Sequence, residues 1–190
     1  MCIRDSDNTA TTGILAVGDA GKGSQRTALI TMGIRAVPAI GDPAFCGQFI
    51  QQEFSTTVGE SVMVNLPFMG WSASGSTLLY DQSWGVLLHA NGAEAGANTS
   101  GTSGVNNGAS SALGGYAVFM LFSGTAITLS VQDSDDAVNA NFGLLVGSGE
   151  LTAPSASLIA LTRTATVKQF IRWQTSAAAT FAIAFVRATH

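Results

Sequence analysis

Large apolar side chains recur at every second position along most of the chain. Val62, Val64, Leu66 and Phe68 alternate with Met63, Asn65 and Pro67. Ile127, Leu129 and Val131 alternate with Thr128, Ser130 and Gln132, and Phe142, Leu144 and Val146 with Gly143, Leu145 and Gly147. Phe181, Ile183 and Phe185 alternate with Ala182, Ala184 and Val186. A period of two puts the large residues on one face of a strand, toward a core. Turn residues punctuate these runs at Gly41-Asp42-Pro43, Ser72 to Thr77, Ser123-Gly124-Thr125, Asp133 to Asp136 and Thr175-Ser176. The pattern predicts an all-β chain of short antiparallel strands, a sandwich or barrel. The best candidate for a helical turn, Ala20 to Thr27, is weakened by Gly21 and Gly23.

Two strands depart from the apolar-in, polar-out rule. Tyr116 to Phe122 is apolar on both faces, and Phe181 to Val186 sets its large residues against a flat face of Ala182, Ala184 and Val186. Such strands are expected to be covered on both sides, by a second layer or a second subunit. Tyr116, Phe119, Leu121, Ala182, Ala184 and Val186 are therefore the candidate interface residues. Between them, Asn91 to Gly115 is rich in Gly, Ala, Ser, Thr and Asn, and is expected to mix loop with weak strands.

Composition sharpens the expectation of assembly. Charged residues make up 11 % of the 190, against roughly 25 % in an ordinary soluble domain. Gly, Ala, Ser and Thr replace them, and a monomer with so few charges is poorly protected against association. The net charge of −4 comes with scattered Lys and Arg, so no basic stripe exists to grip nucleic acid. The longest charge-free apolar stretch, Tyr116 to Val131, is broken by Ser123-Gly124-Thr125 and falls short of the ~20 residues of a membrane helix; no membrane partner is expected. Cys2 and Cys46 are too few for a disulfide framework.

Candidate chemistry is sparse. Gly18 to Gly23 resembles a phosphate loop, but Ala16 stands where the first Gly belongs and Gly23 follows the Lys. Asp133, Asp135 and Asp136 are weak candidates for a cation site; Asp is equally a turn residue, and no EF-hand spacing follows them. His89 is the one internal histidine, with no Gly-x-Ser-x-Gly elbow to partner it. Cys46 lies in the apolar run Phe45 to Ile50, where an inert buried thiol is expected. Trp71, Trp84, Trp173, Tyr80 and Tyr116 would suit either a core or a sugar-stacking platform. No catalytic residue and no cofactor is expected.

Several passages resemble tail-tube (major tail) proteins of tailed bacteriophages and the β-sandwich module appended to them. They are Trp84-Gly85-Val86-Leu87-Leu88-His89, Asn106 to Ser111 leading into Gly114-Gly115-Tyr116, Val131-Gln132-Asp133-Ser134-Asp135-Asp136, and the closing pair Val167 to Arg172 and Phe181 to Arg187. The likeness covers roughly the last hundred residues. Upstream, Gly41-Asp42-Pro43 and Val58-Gly59-Glu60 look like hairpin loops of the C-terminal portion of a tube domain. The resemblance implies a tube-like β segment over 7–74 and an antiparallel β-sandwich over 78–190. Residues 1–6, Met-Cys-Ile-Arg-Asp-Ser, read as a foreign leader, with the native chain beginning upstream. It also implies a virion structural protein, assembled in the host bacterial cytoplasm beside other virion proteins. Hexameric rings would stack into a tube through which DNA passes without specific binding. A capsid decoration protein and a carbohydrate- or receptor-binding sandwich are the alternative readings.

Overall fold

The alternating runs fold as strands that pair antiparallel. The computed structural model describes residues 25–31, 38–51, 55–58, 62–65, 68–70, 83–101 and 103–189. Within them the chain is all-β. The strands are β1 (Gln25–Thr31), β2 (Pro43–Gln51), β3 (Ser55–Val58), β4 (Val62–Asn65), β5 (Phe68–Gly70), β6 (Ser83–Glu94) and β7 (Asn98–Thr99). They continue with β8 (Val105–Asn106), β9 (Gly115–Ser123), β10 (Ile127–Ser134), β11 (Gly143–Leu151), β12 (Ser155–Ala160), β13 (Phe170–Thr175) and β14 (Ala179–Arg187). One 3-10 turn, Asn139–Asn141, precedes β11. No helix among the described residues is long and apolar enough to cross a membrane.

The chain divides into two compact units, Met1–Arg26 with Gln48–Thr77, and Thr27–Gly47 with Leu78–His190. In the first, β3 and β4 form a hairpin and the end of β2 pairs with β5. The run read as one alternation from Val62 to Phe68 thus serves two strands with different partners. The second unit takes in Thr27–Gly47 as well as the expected sandwich. The reason is pairing and burial: Pro43 to Cys46 lie in register with Val86 to Ser83 on β6, and Ala44 and Cys46 are fully buried. Of the helical candidate at Ala20 to Thr27, Gln25 to Thr27 belong to β1; its other residues, the leader 1–6, the glycine loop 18–23 and the turn 72–77 lie outside the described residues.

The second unit is built from two sheets. One has the order β1-β2-β6-β14-β9-β12; the other runs β11-β10-β13-β7, with β8 also on β13. Asn91 to Gly115 is indeed mixed, since β7 and β8 are two-residue strands set between turns. Between the sheets lies the main core. Leu88, Phe119, Leu121, Phe181, Ile183 and Phe185 come from the first sheet, and Leu129, Val131, Ile171 and Trp173 from the second. Gly85 shows how closely β6 and β14 approach: a Cβ there would stand 2.1 Å from the carbonyl oxygen of Phe185, so only glycine fits.

The first sheet also has a core on its other face, formed by Ala44, Cys46, Leu87, Tyr116, Val118, Ala184 and Val186. A hydrogen bond reveals how that face is covered. The Tyr116 hydroxyl donates to Cys46 O at 2.9 Å and accepts from the Ser83 N–H at 2.9 Å. β9 and β2 are three strand spacings apart in the sheet order, roughly 14 Å if the sheet were flat. A tyrosine side chain cannot span that, so the sheet curls and brings β2 over β9.

Leu144 breaks the expected alternation. Val131 pairs with Val146 but Gln132 pairs with Leu144, so one extra residue sits in β11 at this point. Such a bulge turns the following side chain to the opposite face. Val146 is buried in the core, whereas Leu144 is 71 % exposed.

Candidate functional site

The six candidate interface residues are all covered by their own chain. Phe119 and Leu121 face the main core, Tyr116, Ala184 and Val186 face the second, and Ala182 is buried beside it. The two-faced strands β9 and β14 were legible as doubly covered, but the covering is the curled sheet itself. In this fold these side chains are not available to a second copy. Ala182, with Leu29, Leu87, Met120 and Phe122, lines an apolar recess of about 230 Å³ inside the curl.

The three aspartates of the candidate cation site diverge. Asp133 is buried and accepts the Lys168 N–H at 2.9 Å; burial raises its carboxyl above the usual range, with that hydrogen bond opposing. Asp135 lies 3.5 Å from Lys168 Nζ. Asp136 accepts from the Val138 N–H at 3.1 Å and from Asn141 Nδ2 at 2.9 Å, which hold its carboxyl below the usual range. Asp133 and Asp135 both engage Lys168, through its N–H and its Nζ, while Asp136 caps the turn on Val138 and Asn141. Among the described residues no three His, Cys, Asp or Glu side chains are grouped to hold a metal.

The aromatic platform does not come together either. Trp173 is 3 % exposed within the main core, and Tyr116 is in the second. Trp84 is 50 % exposed at the end of β6, edge-on to Phe45 at 5.6 Å. Trp71 and Tyr80 lie outside the described residues. The Cys46 thiol, enclosed in the second core, is pushed up to about 12 by burial, which leaves it without thiolate at neutral pH.

His89 is buried and joins the two sheets through aromatic contact. Its ring stacks on Phe181 at 4.1 Å and meets Trp173 edge-on at 4.7 Å. Nδ1 is 3.1 Å from Phe181 O and Nε2 is 3.1 Å from Glu94 Oε1. Both partners are acceptors, so both contacts are hydrogen bonds only when the ring carries two protons. Asn98 Nδ2 donates to Glu94 Oε2 at 2.7 Å, closing the chain His89–Glu94–Asn98 between β6 and β7. The arrangement links β6, β7, β13 and β14 at one end of the sandwich. The residues were each visible in the sequence; their grouping depends on the pairing of β6 with β14 and of β7 with β13.

This cluster carries a pH prediction. The Glu94 carboxyl is held below its ordinary value, chiefly by the Asn98 hydrogen bond, with desolvation opposing and His89 adding to it. A depressed carboxylate stabilises the fold above its unfolded value, about 4.3, and that contribution is lost as pH falls through the folded value. Glu94→Gln is expected to cost on the order of 1 kcal/mol or less at pH 7, because the group is partly solvated. The gap between variant and wild type should close in urea melts below about pH 4. An undiminished gap at low pH would assign the loss to packing instead.

An open strand edge is a further feature that can meet a partner. β12 ends the first sheet. It pairs with β9 without a register shift from Ser155↔Leu121 to Ala160↔Tyr116, and pairs with no other strand among the described residues. Its sequence Ser-Ala-Ser-Leu-Ile-Ala has no charge and no proline. The edge strand of the second sheet, β11, is by contrast bulged and carries Glu150. No family model, no curated protein and no solved structure matches the chain.

Proposed function

We propose that this chain is a structural subunit that assembles with copies of itself, and that its setting is the tail tube of a tailed bacteriophage. The observation that carries the assembly is β12, a regular, uncharged, six-residue edge strand at the end of the first sheet. An unguarded edge presents unpaired backbone groups and is a template for another strand. A chain with only 11 % charged residues has little repulsion to oppose that pairing. The tail setting rests on the likeness of Trp84 to His89, Val131 to Asp136 and the closing strands to the tail-tube family. In that setting the protein is a virion component with no catalytic role, in rings of six subunits around a channel, and its net negative charge keeps passing DNA from sticking.

Electron microscopy of the purified protein tests this reading. Rings of six, stacked into tubes, are the expected particles. Trimers that bind only to assembled heads would transfer the protein to capsid decoration.

A further inference from the structure

The outer face of the second sheet holds a cation with no counter-ion. Arg172, in the middle of β13, is 6 % exposed. Nε donates to Gln132 Oε1 at 2.7 Å, and Nη1 donates to Gly101 O at 3.3 Å and to Asn139 Oδ1. The guanidinium carbon lies 4.2 Å from the centre of the Phe142 ring. Every acceptor is neutral, and among the described residues no carboxylate pairs with Arg172. Buried charges are ordinarily paired, because desolvation is costly. Burial accordingly lowers the affinity of this guanidinium for its proton.

Donor counting shows what is left over. A guanidinium has five N–H groups. Three are engaged, which leaves the two on Nη2, an atom that is not among the enclosed ones. Gln174 lies two residues along the same face, roughly 7 Å away. Its Oε1 accepts from Gln132 Nε2 at 2.9 Å and from Ser130 Oγ at 3.4 Å, which leaves its own Nε2 donors open. Across Gln132, two strand spacings (roughly 10 Å) from Arg172, stands Leu144, an exposed apolar residue in the same row of the sheet.

We infer that this face binds a carboxylate-bearing saccharide, with the carboxylate on Arg172 Nη2 and ring hydroxyls on Gln174 and Ser130. One fixed cation among neutral amides and hydroxyls fits a ligand with a single carboxylate among hydroxyl groups. A dense polyanion would meet no second cation here and would be repelled by a chain of net charge −4. The site is independent of how copies assemble, and it uses no tryptophan.

Saturation-transfer difference NMR on the full chain, with glucuronate, glucose and acetate as probes, tests the inference. Glucuronate is expected to receive saturation and to bind about tenfold more tightly than acetate, the gain from one or two added hydrogen bonds. Glucose should receive none. Gln174→Glu places a carboxylate beside Arg172 as an internal occupant and should abolish the glucuronate signal. Leu144→Glu, at a freely exposed position, should weaken it at least severalfold without touching the fold. Equal signals from glucuronate and glucose, equal affinity for glucuronate and acetate, or undiminished binding by both variants would each overturn the assignment.

Discussion

Trp173→Ala is expected to remove about 3–5 kcal/mol of folding free energy, the usual cost of truncating a buried aromatic. That is a large fraction of the roughly 5–15 kcal/mol that holds a domain folded. Trp173 is enclosed between the sheets, edge-on to Phe181 at 5.3 Å and to His89 at 4.7 Å, so its loss opens a cavity against two other rings. Its Nε1 has no hydrogen-bond partner among the described residues, so Trp173→Phe keeps most of the packing and leaves no donor behind. The phenylalanine variant should therefore lose much less. Urea melts of the three proteins measure both differences. A sugar-stacking tryptophan would behave in the opposite way, with alanine abolishing glycan binding and leaving stability unchanged.

How much of this was legible in the sequence depended on side-chain size. Phe181, Ile183 and Phe185, and Ile127, Leu129 and Val131, kept a strict period of two with large residues, and all six point into the main core. In Ser155 to Ala160 the two large residues, Leu158 and Ile159, are adjacent and face opposite cores, so no alternation marks the edge strand. Leu144 misled because a single inserted residue in β11 reverses the faces. The double burial expected for Tyr116 to Phe122 and for Phe181 to Val186 was readable, except at Phe122, which is 47 % exposed; what buries them was not. That follows from the curl of the sheet, which depends on pairings such as Tyr116 with Cys46, 70 residues apart. Arg172 was one scattered cation in the sequence; its neutral cage is assembled from Gly101, Gln132 and Asn139 in three different segments.

With the candidate interface residues covered by their own chain, the β12 edge is the place for the decisive substitution. Ala156 and Ala160 are exposed in β12, on either side of the partly buried Leu158. A lysine at either position costs the monomer little, because its side chain reaches solvent. In an added strand the same lysines would sit within a continuous sheet and, where two copies of β12 meet, against their own like charge. Natural edge strands use lysine in this way to block pairing. The double variant Ala156→Lys, Ala160→Lys is therefore expected to fold as the wild type does, with an unchanged urea midpoint, and to lose assembly.

Sedimentation velocity of the full chain and of that double variant tests self-assembly through β12 most directly. The wild type is expected to sediment as large, concentration-dependent species and the variant as a 19.4 kDa monomer. A wild type that stays monomeric at every concentration, or a folded variant that assembles as the wild type does, would contradict it.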